Sequence, residues 1–243
     1  VGERTVVYFH GCAANYYEVA TGRMAVEVLE HNGFTVLTPD QGCCGLPLQS
    51  NGMYDEARSY VGALTAQLAP YAREGHDIVA TSTSCGLMLK REAREILGVE
   101  DDDLTAVSAR MVDICELLLD LHDRGELRTD FQRVEMTVPY HPPCQLRGHG
   151  IGTPALELMR LIPGVEVVES TSLCCGVAGT YGLKAEKYEV AMEVGRDLFT
   201  LVRDLAPEVA VCDSETCRWQ ITHATGTPAI HPIALLHRAY GLG

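Results

Sequence analysis

Apolar and polar positions follow one order along the chain, and that order is run through twice. The apolar stretch from Thr5 to Phe9 reads as a β-strand, and Val134 to Tyr140 reads as its counterpart. Each is followed by a helical stretch, about Glu18 to His31 and about Pro154 to Leu161, then by a second strand, Thr35 to Leu37 and Val165 to Val168. Apolar residues then recur at steps of three and four. Tyr54, Ala57, Val61, Leu64, Leu68 and Tyr71 predict one long amphipathic helix, and Tyr188, Ala191, Val194, Leu198, Leu201 and Leu205 predict another. Third strands, Asp77 to Ala80 and Val209 to Val211, lead into helices over Leu87 to Leu97 and Trp219 to Ala224.

Strands alternating with helices imply parallel pairing through right-handed crossovers. The fold class is therefore α/β: two tandem repeats, each a small parallel-sheet layer domain. The pattern from Met111 to Leu121 predicts a helix that closes the first repeat. The polar, unpatterned run after it reads as a linker. The expected boundaries are residues 1–123 for the first repeat, 124–133 for the linker and 134–243 for the second repeat.

Composition narrows the classes of function. Of 243 residues, 47% are hydrophobic and 21% charged, the balance of a chain with a core to bury. The net charge of −14, with Lys90, Lys184 and Lys187 the only lysines, repels nucleic acid and anionic lipid. No apolar run reaches the length of a spanning helix and no signal peptide opens the chain, which implies a cytosolic protein. The first residue is Val1, which suggests a piece of a longer polypeptide.

The repeat carries its chemistry in cysteine. Eight of the ten cysteines form two matched sets: Cys12, Cys43, Cys44 and Cys85, then Cys144, Cys174, Cys175 and Cys217. The single cysteines are offset by 132 residues (Cys12 to Cys144, Cys85 to Cys217) and the pairs by 131 (Cys43 to Cys174). Four thiolates per repeat is the number that holds one 4Fe-4S cluster, since each iron of the cube takes one outer sulfur ligand. On the predicted topology every one of these cysteines lies at the carboxyl end of a strand, where open α/β sheets collect ligands. Zinc remains an alternative, although structural zinc sites favour two short Cys-x2-4-Cys knuckles, and neither repeat has them. Disulfides are a further alternative, and vicinal cysteines bridge only with local distortion.

Gly45 and Gly176 follow the cysteine pairs and can aim backbone N–H groups at cluster sulfur; a plain turn glycine is the other reading. His10 and His141 precede the first cysteine of each set and are candidates for hydrogen bonds to the centre from outside its ligands; a strand-end histidine is the simpler reading. Cys115 and Cys212 fall outside the repeat and read as small buried hydrophobes. Cys212, five residues before Cys217, is the better candidate for a swapped ligand. The spaced glycines Gly176, Gly179 and Gly182 lack the ending of a phosphate loop and read as a close-packed turn. Arg147 and His149 could face a quinone or a partner.

The CCG pattern resembles the cysteine-rich domain family found in heterodisulfide reductase, in the lactate-utilisation and glycolate-oxidase iron-sulfur proteins, and in the iron-sulfur subunit of anaerobic glycerol-3-phosphate dehydrogenase. The runs Tyr140 to Arg147, Gly150 to Gly152, Ile162 to Val167, Cys174 to Gly182, Glu186 to Gly195 and Glu215 to Ile221 are similar to the last group. That resemblance implies an iron-sulfur electron-transfer subunit without substrate chemistry of its own. Its partners would be flavoprotein catalytic subunits and, directly or through the complex, membrane menaquinone. It would lie peripherally on the cytoplasmic face of the inner membrane, and an upstream ferredoxin-like module would accompany it. The fuller family pattern ends in Cys-x-x-Cys. Here Ser82 and Ser214 stand where the extra thiols would be, which counts against a five-thiolate centre and against disulfide-reducing catalysis. A heterodisulfide-reductase-like redox enzyme, another electron-transfer subunit of the family and a zinc-stabilised interaction module are the competing readings.

Overall fold

Strands β1 (Arg4–Phe9), β2 (Phe34–Leu37), β3 (Asp77–Ala80) and β4 (Met111–Asp113) make one sheet in the order β2-β1-β3-β4 in the computed structural model, which describes residues 4–242. Strands β5 (Met136–His141), β6 (Val165–Glu169), β7 (Ala210–Cys212) and β8 (Ala229–Ile230) make a second sheet in the equivalent order β6-β5-β7-β8. Every neighbouring pair is parallel. The chain is thus an α/β protein of two like sheets, as its pattern implies. It divides into two compact units, Val1–Leu117 and Leu118–Gly243.

The order of strands follows from the crossovers. The segment containing the helix Val19–His31 returns the chain beside β1 as β2, and the helix Tyr54–Arg73 carries it back across to the other side of β1 as β3. This second helix buries Ala57, Val61, Leu64, Leu68, Ala69 and Ala72, the face written by its three- and four-residue spacing. They pack with Val7 and Phe9 of β1 and Ile78 and Ala80 of β3. Each fully buried leucine here contributes about 1.5–3 kcal/mol. In the second unit Leu198, Phe199 and Val202 of the helix Arg196–Leu205 pack with Ala210 and Ile221.

Several elements differ from the sequence pattern. The expected helix from Met111 starts three residues later, as Ile114–Asp123, because Met111 to Asp113 pair with Ile78 to Ala80 as a fourth strand. The expected continuous helix over Tyr188 to Leu205 is split into Tyr188–Val194 and Arg196–Leu205. The break falls at Gly195, where a β-carbon would stand 2.4 Å from the carbonyl oxygen of Cys175. The helix expected over Leu87 to Leu97 begins earlier, as Thr83–Leu87, and continues through a π-helical turn, Met88–Glu92.

The polar run near residue 130 is tied to the end of the second unit. The amide of Gln132 donates to the Ala239 carbonyl at 2.6 Å, and the Tyr240 hydroxyl donates to the Arg128 carbonyl at 2.6 Å. No helix among the described residues is long and apolar enough to cross a membrane.

Candidate metal centre

In each sheet the central strand and its two neighbours end side by side, and each of the three ends leads into a loop that carries cysteine. In the first unit, β1 ends at Phe9 and leads to Cys12, β2 leads to Cys43 and Cys44, and β3 leads to Cys85 in the short helix Thr83–Leu87. Segments as far apart as Cys12 and Cys85, 73 residues, thereby meet. The Cys44 and Cys85 sulfurs are 3.1 Å apart and those of Cys43 and Cys12 3.9 Å. A β-carbon at Gly11 would stand 3.7 Å from the Cys85 sulfur, so the Cys12 loop lies against that thiol.

The second unit repeats the arrangement. Cys175 and Cys217 sulfurs are 3.0 Å apart, and Cys174 shares a hydrogen bond with Cys144. The thiols stand in couples instead of closing round one point: among the described residues, no three His, Cys, Asp or Glu side chains are grouped as ligands of a single ion.

The proximity of the thiols sets their acidities. Hydrogen bonds from Cys12 and Cys44 pull the Cys43 thiol down to about 3 against the effect of burial, with help from the Gly45 amide. Cys44 is pushed far up by its bonds to Cys43 and Cys85 and then by burial. Bonds from Cys144 and Cys175 likewise pull Cys174 down to about 2, whereas Cys144 and Cys175 rise. Cys217 also rises: its bond to Cys175 lowers it, but the neighbouring Cys212 thiol and burial outweigh that. The neighbours' S–H groups thus favour the anionic form of the first cysteine of each CCG run, the form in which sulfur is a soft metal ligand.

The glycine of each run supplies a donor to that anion. The Gly45 amide points at the Cys43 sulfur at 3.5 Å and the Gly176 amide at the Cys174 sulfur at 3.3 Å. Both glycines are left-handed, with φ of +78° and +90°. A β-carbon at Gly176 would meet the Ala191 carbonyl oxygen at 1.9 Å, and one at Gly45 would meet the Ala57 carbonyl oxygen at 3.0 Å. Only glycine allows this turn so close to the helix behind it.

The two histidines differ. His10 is half-buried, and its Nδ1–H donates to the Gly11 carbonyl at 2.9 Å, inside its own turn. His141 is 1% exposed, and neither ring nitrogen has a hydrogen-bond partner. Burial lowers its pKa to about 4, with the Cys174 thiolate pulling the other way and Arg147 adding to the fall. An imidazole with two orphaned nitrogens beside a thiolate suits a site that receives a further group. Arg147 donates to the Leu173 carbonyl and so holds the second CCG loop to the helix Cys144–His149.

Ser82 and Ser214 serve the last cysteine of each set. Ser82 caps the helix Thr83–Leu87 by accepting the Cys85 amide at 3.3 Å, and the Ser214 side chain hydrogen-bonds Cys217. Cys115 is fully buried at the start of the helix Ile114–Asp123. Cys212 is fully buried too, and its thiol shares a hydrogen bond with Cys217, a contact that spacing alone leaves open. The signal for it was its place at the end of a strand whose next loop carries a matched cysteine.

Four soft donors from three strand-end loops, with a backbone N–H aimed at one sulfur, form a shell suited to an iron-sulfur group. A family model described as "Cysteine-rich domain" matches residues 6–90 and 138–222, the two repeats. The chain belongs to this CCG family. Among relatives, it is 35% identical over 240 residues to a subunit of the anaerobic glycerol-3-phosphate dehydrogenase of Escherichia coli, covering 96% of this chain and 59% of that one. It is 31% identical over 219 residues to a subunit of the fumarate reductase (CoM/CoB) of Methanothermobacter marburgensis, covering 88% of this chain and 41% of that one. It is 26% identical over 219 residues to an uncharacterized iron-sulfur protein of Methanocaldococcus jannaschii, covering 89% and 40% respectively. The CCG chain thus spans roughly half the length of these relatives.

Proposed function

We propose that the chain is an electron-transfer module with two 4Fe-4S centres, one per repeat. Cys12, Cys43, Cys44 and Cys85 would hold the first, and Cys144, Cys174, Cys175 and Cys217 the second. The observation that carries this reading is the meeting, twice, of four thiols from three strand-end loops in one run of neighbouring sulfurs, with a glycine amide aimed at the first sulfur of each CCG run. A bound iron-sulfur centre supplies one-electron transfer. The chain's own residues fix the ligand set, and the Gly45 and Gly176 amides stabilise negative charge on sulfur. Cys44, Cys85, Cys175 and Cys217 are buried, which keeps water from that side. Binding would displace the protons of the raised thiols, so loading is favoured by rising pH.

Similarity to the dehydrogenase subunit supports a place in the same kind of complex. Electrons would arrive from flavin-bearing subunits that oxidise glycerol 3-phosphate and leave toward menaquinone, with the chain on the cytoplasmic face of the inner membrane through its partners. Exposed apolar side chains adjoin both thiol sets, Tyr16 and Tyr17 after Cys12 and Leu173 before Cys174, and offer partners a surface near the centres.

Anaerobic purification followed by iron, sulfide and zinc assays and EPR of the reduced protein tests this reading. The expected result is about eight iron and eight sulfide per chain with cubane signals. Zinc without sulfide would overturn it.

A further inference from the structure

The two sites have four thiols each but differ in what faces them. In the first unit the register of β1 and β3 sets Phe9 opposite Ala80; in the second, β5 and β7 set His141 opposite Cys212 at the same place. Partners in parallel strands project to the same side of a sheet, so each couple looks toward the same group of thiols. Phe9 and Ala80 lie in one apolar cluster with Cys44 and Cys85. Cys212 lies in the corresponding cluster with Cys175 and Cys217 and bonds the Cys217 thiol, while His141 is in electrostatic contact with Cys174.

We propose that Cys212 is a reserve ligand of the second centre, able to replace Cys217, and that Ala80, in the matching place of the first repeat, offers no thiol to do the same for Cys85. This rests on the iron-sulfur reading above. In the exchange Cys212 would become the residue holding the centre and would give up its proton, which Cys217 would take across their shared hydrogen bond as its sulfur came free. One metal–sulfur bond and one S–H bond would be lost and one of each formed. No electron moves and no outside reactant is needed. Both thiols are buried, at 0% exposure for Cys212 and 5% for Cys217, so the proton has a direct path and solvent does not compete for it. His141, buried with both ring nitrogens unpartnered, stands beside Cys212 in the strand register.

Iron and sulfide content after anaerobic reconstitution, with EPR, reads the difference between the repeats. Cys217→Ser keeps the wild-type content, because Cys212 takes over, and its second-centre EPR signal shifts with the changed ligand. Cys85→Ser loses about half the iron and sulfide, one centre of two, because Ala80 offers no thiol. Cys212→Ala combined with Cys217→Ser also loses about half. Loss of a centre in Cys217→Ser alone, as complete as in the double variant, overturns the proposal. If Cys217→Ser unfolds the metal-free chain by circular dichroism, Ala80→Cys with Cys85→Ser puts the same question to the first repeat. Recovery of its centre supports the exchange geometry, and continued loss overturns it. Wild-type chain that binds no iron and sulfide removes the electron-transfer reading itself, whereas two wild-type centres with one in Cys217→Ser remove only the reserve ligand.

Discussion

The Tyr140 hydroxyl donates to Oδ2 of Asp213 at 2.8 Å, and the same place in the first repeat holds Tyr8 and Thr81, also 2.8 Å apart. Tyr8 and Tyr140 are 132 residues apart, as are Thr81 and Asp213, so the tether from central strand to third strand survived duplication while a neutral hydroxyl and an acid occupy its other end. Asp213 is fully buried and its Oδ1 has no hydrogen-bond partner. Burial raises its pKa from 3.8 to about 6, with the Tyr140 bond and Arg218 opposing.

Stability of the metal-free chain should therefore carry a term from Asp213 that weakens as pH rises. A carboxyl whose folded pKa lies above its unfolded value stabilises fully below about 4, and that contribution is lost as pH rises through about 6. The shift of about two units is worth about 3 kcal/mol for a group with no solvent screening. Urea titrations of wild type, Asp213→Asn and Asp213→Thr at about pH 4 and pH 7 measure it. Relative to wild type both variants should gain stability between the two pH values, and equal differences at both would refute the buried acid.

His141 predicts the opposite slope. Its folded pKa of about 4 lies below the ordinary 6.5, so its contribution is present above about 6.5 and is lost as pH falls through about 4. His141→Phe, which copies Phe9 of the first repeat, should make the metal-free chain less sensitive to acid than wild type. Unfolding midpoints across about pH 4 to 7 check this.

Gly176→Ala should be worse than Gly45→Ala although both glycines are left-handed. Positive φ costs each variant about 1–3 kcal/mol. Gly176→Ala adds a collision at 1.9 Å with the Ala191 carbonyl that the backbone must move to relieve, against 3.0 Å at Ala57 for Gly45→Ala. Denaturant midpoints rank them, and Gly176→Ala should also lose the second centre when iron is counted.

Alkylation of the metal-free chain should single out Cys43 and Cys174. Neighbouring thiols pull both down, so their modification rates should vary little between about pH 5 and 8, whereas the exposed Cys144, whose thiol is pushed up, should react slowly throughout. Peptide mass spectrometry after timed quenching reads each site, and a steep rise at Cys43 with pH would contradict the shared-thiol geometry.

Ser82→Ala should cost about 1 kcal/mol through the lost cap on the Cys85 helix. It should leave iron content unchanged, because the hydroxyl serves the Cys85 backbone amide and the thiol itself is retained. A thermal melt and an iron assay separate the two effects.

The β4 and β8 strands show where pattern reading stops. β4 has three residues and β8 two, too few for a period of two to register. Met111 and Val112 fit the start of a helical stripe equally well, and pairing with Ile78 and Val79 decides the matter. The break at Gly195 is similar: the apolar stripe runs straight through it, and the close approach of the Cys175 carbonyl is a contact across the fold.

By itself the amino-acid sequence determined the doubled α/β plan and the eight matched cysteines, because periodicity and spacing are properties of the chain and need no partner. Tertiary structure alone decided which thiols couple, that neighbouring thiols pull the acidity of Cys43 and Cys174 down, that His141 stands orphaned where the first repeat has Phe9, and that Cys212 lies against Cys217. Those relations depend on hydrogen bonds and burial between loops at the ends of neighbouring strands, and such loops become neighbours only when the sheet has formed.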